Sequence, residues 1–227
     1  MSPAKFDEVN IRIRPNDESI VVEERFGTAV SVKFITPDDL VTVLQKSVVP
    51  QQTITSGFLP KNCISVNIYD HKKEVVIWHP VLYADITYFK TVYERFPLPR
   101  MVFAFGISAD GKTSTHRLAV IADEKPTPET RVYEYPFSNV YSYTGICIGA
   151  ANTMPQHKSL QTLAALPNYI LGLPNNDHNF SQLNNKLNLG YRELLEHLRD
   201  KPPEYYYEKV LVPRDYTLQD FIDDKIE

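Results

Sequence analysis

The chain is poor in cysteine: Cys63 and Cys147 are the only two in 227 residues. No CxxC pair occurs and the six histidines are scattered, so the spacing of a zinc site is missing. A single disulfide could be drawn between the two, but a reducing cytoplasm disfavours it. Each cysteine therefore needs its own explanation, one in packing and one in chemistry. Long apolar runs are also missing. No stretch approaches the roughly 20 residues that span a bilayer, and the start MSPAKFDEVN has neither the basic opening nor the apolar run of a secretory signal. A cytoplasmic protein is expected. Basic runs are absent too: 24 Lys and Arg against 28 Asp and Glu give a net charge of -4. Phosphate-driven nucleic-acid binding rests on clustered cations, so it is a poor fit. There is no internal repeat and no low-complexity tract.

What is present describes a packed globule, with 43% hydrophobic and 23% charged residues. Residues 1–35 look strand-rich, with alternation across Asn10-Ile11-Arg12-Ile13-Arg14 and an apolar patch at Ile20-Val21-Val22. A helix start follows. Thr36 can cap, Pro37 fits the first helical position, and Asp38 and Asp39 favour the positive helix end. Leu40, Val43 and Leu44 give its apolar face, and Pro50 is expected to end it.

The middle of the chain reads as a β-meander, with strands at Cys63–Tyr69, Glu74–His79, Met101–Ser108 and Thr115–Ala122 and a shorter one at Arg131–Tyr135. Ala109-Asp110-Gly111-Lys112 carries a hairpin turn signal, and Asp70-His71-Lys72-Lys73 makes a second polar turn. Residues 81–96 conflict. Leu82, Ile86, Phe89, Tyr93 and Phe96 fall at helical spacing, while the composition favours a strand at 83–89. After Asp123, Lys125-Pro126-Thr127-Pro128 breaks the sheet pattern. Residues 136–158 read as one irregular segment, and a long loop inside a compact domain is more often functional than decorative. Helices are expected near 159–171 and 180–199. In the second, Leu183, Leu187, Tyr191, Leu194, Leu195 and Leu198 form the stripe and Pro202-Pro203 the stop. The order of meander, loop and helices is an α+β pattern. The tyrosine run at Glu204–Tyr207 and the acidic tail Asp220–Glu227 read as a surface extension.

The irregular segment carries Asn139, then Gly145-Ile146-Cys147-Ile148-Gly149, with the cysteine eight residues after the asparagine. This resembles ubiquitin-conjugating enzymes, in which a four-stranded meander leads through a proline-rich kink and a short strand to a His-Pro-Asn tripeptide. There the catalytic cysteine follows eight residues later in a Gly-x-(x)-Ile-Cys-Leu stretch. Lys125-Pro126-Thr127-Pro128 and Arg131-Val132-Tyr133-Glu134-Tyr135 resemble the kink and the strand. A wider likeness takes in Ser56-Gly57-Phe58-Leu59-Pro60, Val76-Ile77-Trp78, Phe96-Pro97-Leu98-Pro99 and Pro126-Thr127-Pro128. With the Asn139…Cys147 stretch, these are similar to the bacterial, often plasmid-borne family called protein B of the ParB-related, ThiF-related cassette (the PRTRC system). That resemblance implies a ubiquitin-conjugating-like fold: an antiparallel meander, an irregular active-site loop and C-terminal helices. It divides the chain into an N-terminal strand and helix extension packed on the core (1–55), the conjugating-like core (56–200) and a C-terminal extension (201–227). It also implies partners: a ThiF-like adenylating enzyme, a small ubiquitin-like protein and a JAB-type metallopeptidase. It implies no metal or organic cofactor.

Under that resemblance Cys147 is the acceptor thiol and Asn139 its polar partner. A thioester carrier needs a thiol that takes an acyl group from another thioester and releases it to an amine. When the amine attacks, charge develops on the carbonyl oxygen, where an amide donor such as Asn139 would act as an oxyanion hole. The sequence departs from the family in carrying Phe137 and Ser138 where the histidine and proline stand, and no cation lies between Cys147 and His157. Tyr133, Tyr135, Tyr141 and Tyr143 crowd the same segment as candidate walls.

Other readings stand beside this one. Taken alone, Cys147 reads as a buried small hydrophobe, and Asn139 as a turn residue accepting a left-handed backbone. Cys63 in an alternating strand reads as packing, and His79 and His116 as structural or exposed. Asn175-Asn176-Asp177-His178-Asn179 is either a border of the site or a plain inter-helix loop. The functional alternatives are a non-catalytic binding module of the same fold and a cysteine hydrolase, which requires a histidine base at Cys147.

Overall fold

The structure is a computed structural model that describes residues 7–14, 19–47, 56–69, 71–150 and 152–226. The chain divides into two compact units, Met1–Thr55 and Ser56–Glu227. In the first, β1 (Glu8–Arg12), β2 (Ile20–Phe26) and β3 (Ala29–Ile35) form an antiparallel sheet in the order β1-β2-β3. Helix α1 (Pro37–Ser47) starts as its sequence dictates. The Thr36 hydroxyl accepts from the Asp39 backbone N–H (3.1 Å), and the Asp39 carboxylate accepts from the Thr36 backbone N–H (3.1 Å) and hydroxyl (2.7 Å). This reciprocal cap holds the Asp39 carboxyl below its usual range. The expected stop at Pro50 lies outside the described residues, as does Asp70 of the second polar turn.

The second unit contains β4 (Cys63–Ile68), β5 (Lys72–His79), β6 (Tyr83–Tyr88), β7 (Thr91–Pro97), β8 (Arg100–Ser108), β9 (Thr113–Ile121) and β10 (Arg131–Tyr133). A 3-10 turn at Leu160–Ala165 runs into α2 (Leu166–Leu171), and α3 spans Tyr191–Leu198. A π-helical turn at Tyr206–Val210 precedes β11 (Pro213–Thr217) and α4 (Leu218–Ile222). Among the described residues the main sheet is six-stranded and antiparallel, in the order β11-β10-β9-β8-β5-β4, while β6 and β7 pair as a separate ribbon. The architecture is α+β with antiparallel sheets.

Period-two alternation sorts the strands onto two faces. Val75, Ile77, Met101, Phe103, Phe105, Leu118 and Val120 face a core shared with α2, α3 and the β6–β7 ribbon. Val76, Val102, Ala104, Ala119 and Ile121 face the other way, onto Leu218, Phe221 and Ile222 of α4. Strand β8 has neighbours on both edges and cover on both faces, so it reads as an unbroken apolar run.

The strand reading of residues 83–89 holds: β6 pairs with β7 as a ribbon whose turn at Phe89 has φ of 51°. Two expectations need correction. The helix expected over 180–199 is confined to α3, because Asn188 takes a left-handed backbone (φ 53°) and Gly190 is the N-cap. Leu183, counted in the stripe, is 78% exposed. The C-terminal segment is no surface extension. Tyr206 and Phe221 are fully buried, and α4 covers the outer face of the sheet.

Beneath α4 lies a buried charge cluster. The Arg117 guanidinium contacts the Glu74 carboxylate (2.7 Å), the Phe221 carbonyl (2.7 Å) and the Asp224 carboxylate (2.9 Å), and it stacks on the Phe221 ring. An isolated ion this far from water would cost several kcal/mol, so these partners account for a cation at that depth.

Candidate functional site

Cys147 closes a tight hook rather than an irregular loop. Val140 and Ile146 pair as an antiparallel bridge, and the Tyr141 N–H donates to the Gly145 carbonyl (2.9 Å). The turn between them is closed by the Thr144 N–H on the Tyr141 carbonyl (2.9 Å). Thr144 itself is buried with φ of 70°, an unusual backbone for a β-branched residue. The hook is seated on β9: the Leu118 N–H donates to the Thr144 carbonyl (2.9 Å) and the Ile146 N–H to the His116 carbonyl (3.0 Å). The turn is tied to β11 as well, where the Arg214 guanidinium donates to the Ser142 carbonyl and pairs with Glu134 (3.5 Å).

The hook brings Asn139 and Cys147 together through the backbone, with the Cys147 N–H donating to the Asn139 carbonyl at 2.7 Å. Both residues are half-buried and line one cavity of about 20 Å³ with Ser138, Asn175 and Tyr191. Asn139 adopts φ of 65°, so the reading of it as a left-handed turn residue describes its backbone. Its side-chain amide donates to the Pro174 carbonyl (3.2 Å) and to Asn175 Oδ1 (3.4 Å), and its own N–H donates to the His178 carbonyl (3.1 Å). Both amide hydrogens thus have partners on the 174–175 turn.

The two residues that depart from the family tripeptide have structural roles. Phe137 is 2% exposed, inside a cage of Phe96, Tyr135, Tyr191 and Tyr206 with ring centroids 5.4–6.2 Å away. Burial pushes the phenols of Tyr135, Tyr191 and Tyr206 up, so the cage is uncharged near neutral pH. Ser138, also buried, donates from Oγ to Asn175 Oδ1 (3.1 Å).

Asn175, which the sequence places only within a polar run at a candidate border of the site, lines the cavity itself. Besides accepting those two bonds, its Nδ2 donates to the carbonyls of Thr87 and Leu173 (both 3.3 Å). Its backbone exchanges bonds with the β6–β7 ribbon through Thr87 (2.7 Å) and Phe89 (2.9 Å). The signal available was the polar run Asn175–Asn179, which borders the site.

The remaining candidates do not converge on Cys147. Cys63 sits in β4 with its Sγ directed at the Ser65 carbonyl (3.4 Å), and burial pushes its thiol up. His79 packs edge-on against Phe103, and burial pushes it down to about 4. His116 accepts from the Ile146 N–H through its backbone and its ring also meets the Ile146 backbone, while His157 bonds Thr162 from its ring (2.9 Å). Among the described residues no histidine hydrogen-bonds the Cys147 sulfur, so the hydrolase reading lacks its base. Tyr141 and Tyr143 stack at 5.1 Å across the hook turn. Among the described residues no cluster of three or more His, Cys, Asp or Glu could hold a metal ion, and no helix is long and apolar enough to cross a membrane.

Compared with known families, residues 38–214 match the family described as Prokaryotic E2 family D, well over half of the chain. The chain belongs to Prokaryotic E2 family D. No curated protein and no solved structure gives a match. As a member of this prokaryotic E2 family, the chain carries its hook, its cysteine and the Asn175 turn all inside the matched residues.

Proposed function

We propose that the protein is a ubiquitin-conjugating-like carrier that accepts the C-terminus of a ubiquitin-like protein as a thioester on Cys147. A ThiF-like adenylating enzyme supplies the activated chain, and an amine receives it. In the first step the Cys147 thiolate attacks the donor thioester, and the donor's sulfur leaves as a thiolate. In the second, the amine nitrogen attacks the thioester carbon and the carbonyl electron pair moves onto oxygen. The Asn139 amide stabilises that oxyanion. Collapse breaks the C–S bond, Cys147 leaves as thiolate, and the amine proton passes to solvent.

The observation that carries this reading is the pairing of a half-buried cysteine, outside any disulfide, with an asparagine on one cavity wall, in a member of a prokaryotic E2 family. Residues 56–200 are then the ubiquitin-conjugating-like core, 1–55 an N-terminal extension and 201–227 a C-terminal one. The likeness to protein B of the ParB-related, ThiF-related cassette supports a bacterial, plasmid-associated and cytoplasmic setting, with a small ubiquitin-like protein and a JAB-type peptidase as neighbours.

One observation favours a second reading, a non-catalytic module that holds the ubiquitin-like protein. Both hydrogens of the Asn139 amide already have acceptors. The test mixes the full chain with the adenylating enzyme, ATP and the ubiquitin-like protein. An adduct released by thiols, lost in Cys147→Ala and retained in Cys63→Ala, supports the carrier. Binding without an adduct supports the module.

A further inference from the structure

We infer that Asn175 is the positioning residue of this site: it parks the Asn139 amide at the wall of the cavity that Cys147 also lines, and releases it when the oxyanion forms. The inference rests on the carrier reading and adds a residue to it. Asn139 and Asn175 are 36 positions apart and meet only because the turn after α2 is pinned to the β6–β7 ribbon.

The argument is one of hydrogen-bond capacity. A side-chain amide offers two donors and an oxygen with two lone pairs. Asn175 uses all of them: Nδ2 on Thr87 and Leu173, and Oδ1 on Ser138 and Asn139. The bond from Asn139 is the longest of the four, at 3.4 Å. If Asn139 turns one N–H toward an oxyanion, Asn175 Oδ1 keeps the Ser138 hydroxyl, so no acceptor is stranded. Asn139 keeps its second N–H on the Pro174 carbonyl, which serves as the pivot. Its backbone does not move, being held by His178 on one side and Cys147 on the other. The site can therefore exchange one hydrogen bond for another while the rest of the network stays intact. Ser138, standing where the family has proline, supplies the donor that makes this exchange possible.

The test uses the full chain and three variants. Asn175→Ala removes the acceptor, and Asn175→Leu does so with the side-chain volume kept, standing in for Ala if that variant loses its fold. Asn175→Asp keeps an acceptor for both Ser138 and Asn139. The expected result is normal charging of Cys147 in all three. Discharge to an amine slows about tenfold or more in Asn175→Ala or Asn175→Leu, less than the roughly 10²–10³ lost with an oxyanion donor itself. It is at least about threefold faster in Asn175→Asp than in Asn175→Ala, although Asp loses the Nδ2 bonds and sets a carboxylate oxygen against the Thr87 and Leu173 carbonyls. Equal impairment of Asp and Ala, or unimpaired discharge in Ala, overturns the inference. A second readout needs no activity: the Asn139 side-chain amide resonances in ¹⁵N-labelled protein. The bonded amide proton is expected to move upfield in Asn175→Ala, where its acceptor is lost, and not upfield in Asn175→Asp, where a stronger acceptor remains, and unmoved resonances in Asn175→Ala overturn the inference. If the parent forms no adduct on Cys147, the carrier reading fails by that result, and the amide resonances alone decide the role of Asn175.

Discussion

Removing the Glu74 carboxylate should be among the costliest single changes in the second unit, and the reason lies in what it leaves behind. Glu74 is 1% exposed and sits 2.7 Å from the Arg117 guanidinium, whose side chain is 5% exposed. In Glu74→Ala the guanidinium stays under α4 with the Phe221 carbonyl and the outer carboxylate of Asp224, itself 55% exposed. Breaking a buried pair from one side typically costs about 3–5 kcal/mol, and replacing both partners with apolar groups is often neutral. Asp224 remains as a partial counter-charge, so we expect about 3 kcal/mol for Glu74→Ala and less than about 1 kcal/mol for the pair Glu74→Leu with Arg117→Met. Domain stability as a whole is roughly 5–15 kcal/mol, so the single change should be plain in urea unfolding. The chain's one tryptophan, Trp78, lies on the same strand as Glu74 and reports this unit. Because the Arg117 segment also seats the hook, hydrogen exchange at Ile146 should speed in the single variant. A Glu74→Ala midpoint equivalent to less than about 1 kcal/mol, or a double variant as unstable as the single one, would refute the reasoning.

Placing the histidine of ubiquitin-conjugating enzymes at this position should harm this protein: Phe137→His loses the fit of a phenyl ring in an aromatic cage and buries a polar one, a cost of about 2–4 kcal/mol, read as a lowered urea midpoint without gain in any activity. His79 sets a pH dependence. Its folded value, about 4, lies below the ordinary 6.5, so the unfolded chain binds the extra proton between those values and stability falls as pH drops through that window. The ceiling is roughly 3 kcal/mol at about 1.4 kcal/mol per unit, reduced by the ring's residual solvation. His79→Leu should flatten the stability profile between pH 6.5 and 4, and an unchanged slope would count against this.

The sheet was legible because its alternation is strong and its turns carry ordinary turn chemistry, as at Asp110-Gly111, where the Gly111 N–H donates to the Ser108 carbonyl. In residues 81–96 the strand composition outweighed five apolar residues that fell at helical spacing by coincidence, and β6 forms there. Ile86 and Tyr93 are cross-strand partners, whereas Phe89 is an exposed turn residue. The false extension of α3 has the same origin, since Leu183 shares the stripe's spacing and none of its burial. The C-terminal segment was misjudged for another reason. Its acidic run Asp223-Asp224 is exposed and reads as surface, while Leu218, Phe221 and Ile222 cover an outer sheet face whose need for cover no local pattern announces. At the site, Asn139 was found because it stands eight residues from Cys147. The link from Asn175 to Asn139 was hidden because it exists only through the ribbon that pins the turn after α2.

The most direct test is the intact mass of the full chain carrying Cys147→Ser after incubation with the adenylating enzyme, ATP and the ubiquitin-like protein. If Cys147 is the acceptor, serine converts the thiol-labile adduct into an oxyester that survives thiol and is cleaved by hydroxide. An unmodified mass for this variant, with the parent also unmodified under the same conditions, would contradict the carrier account.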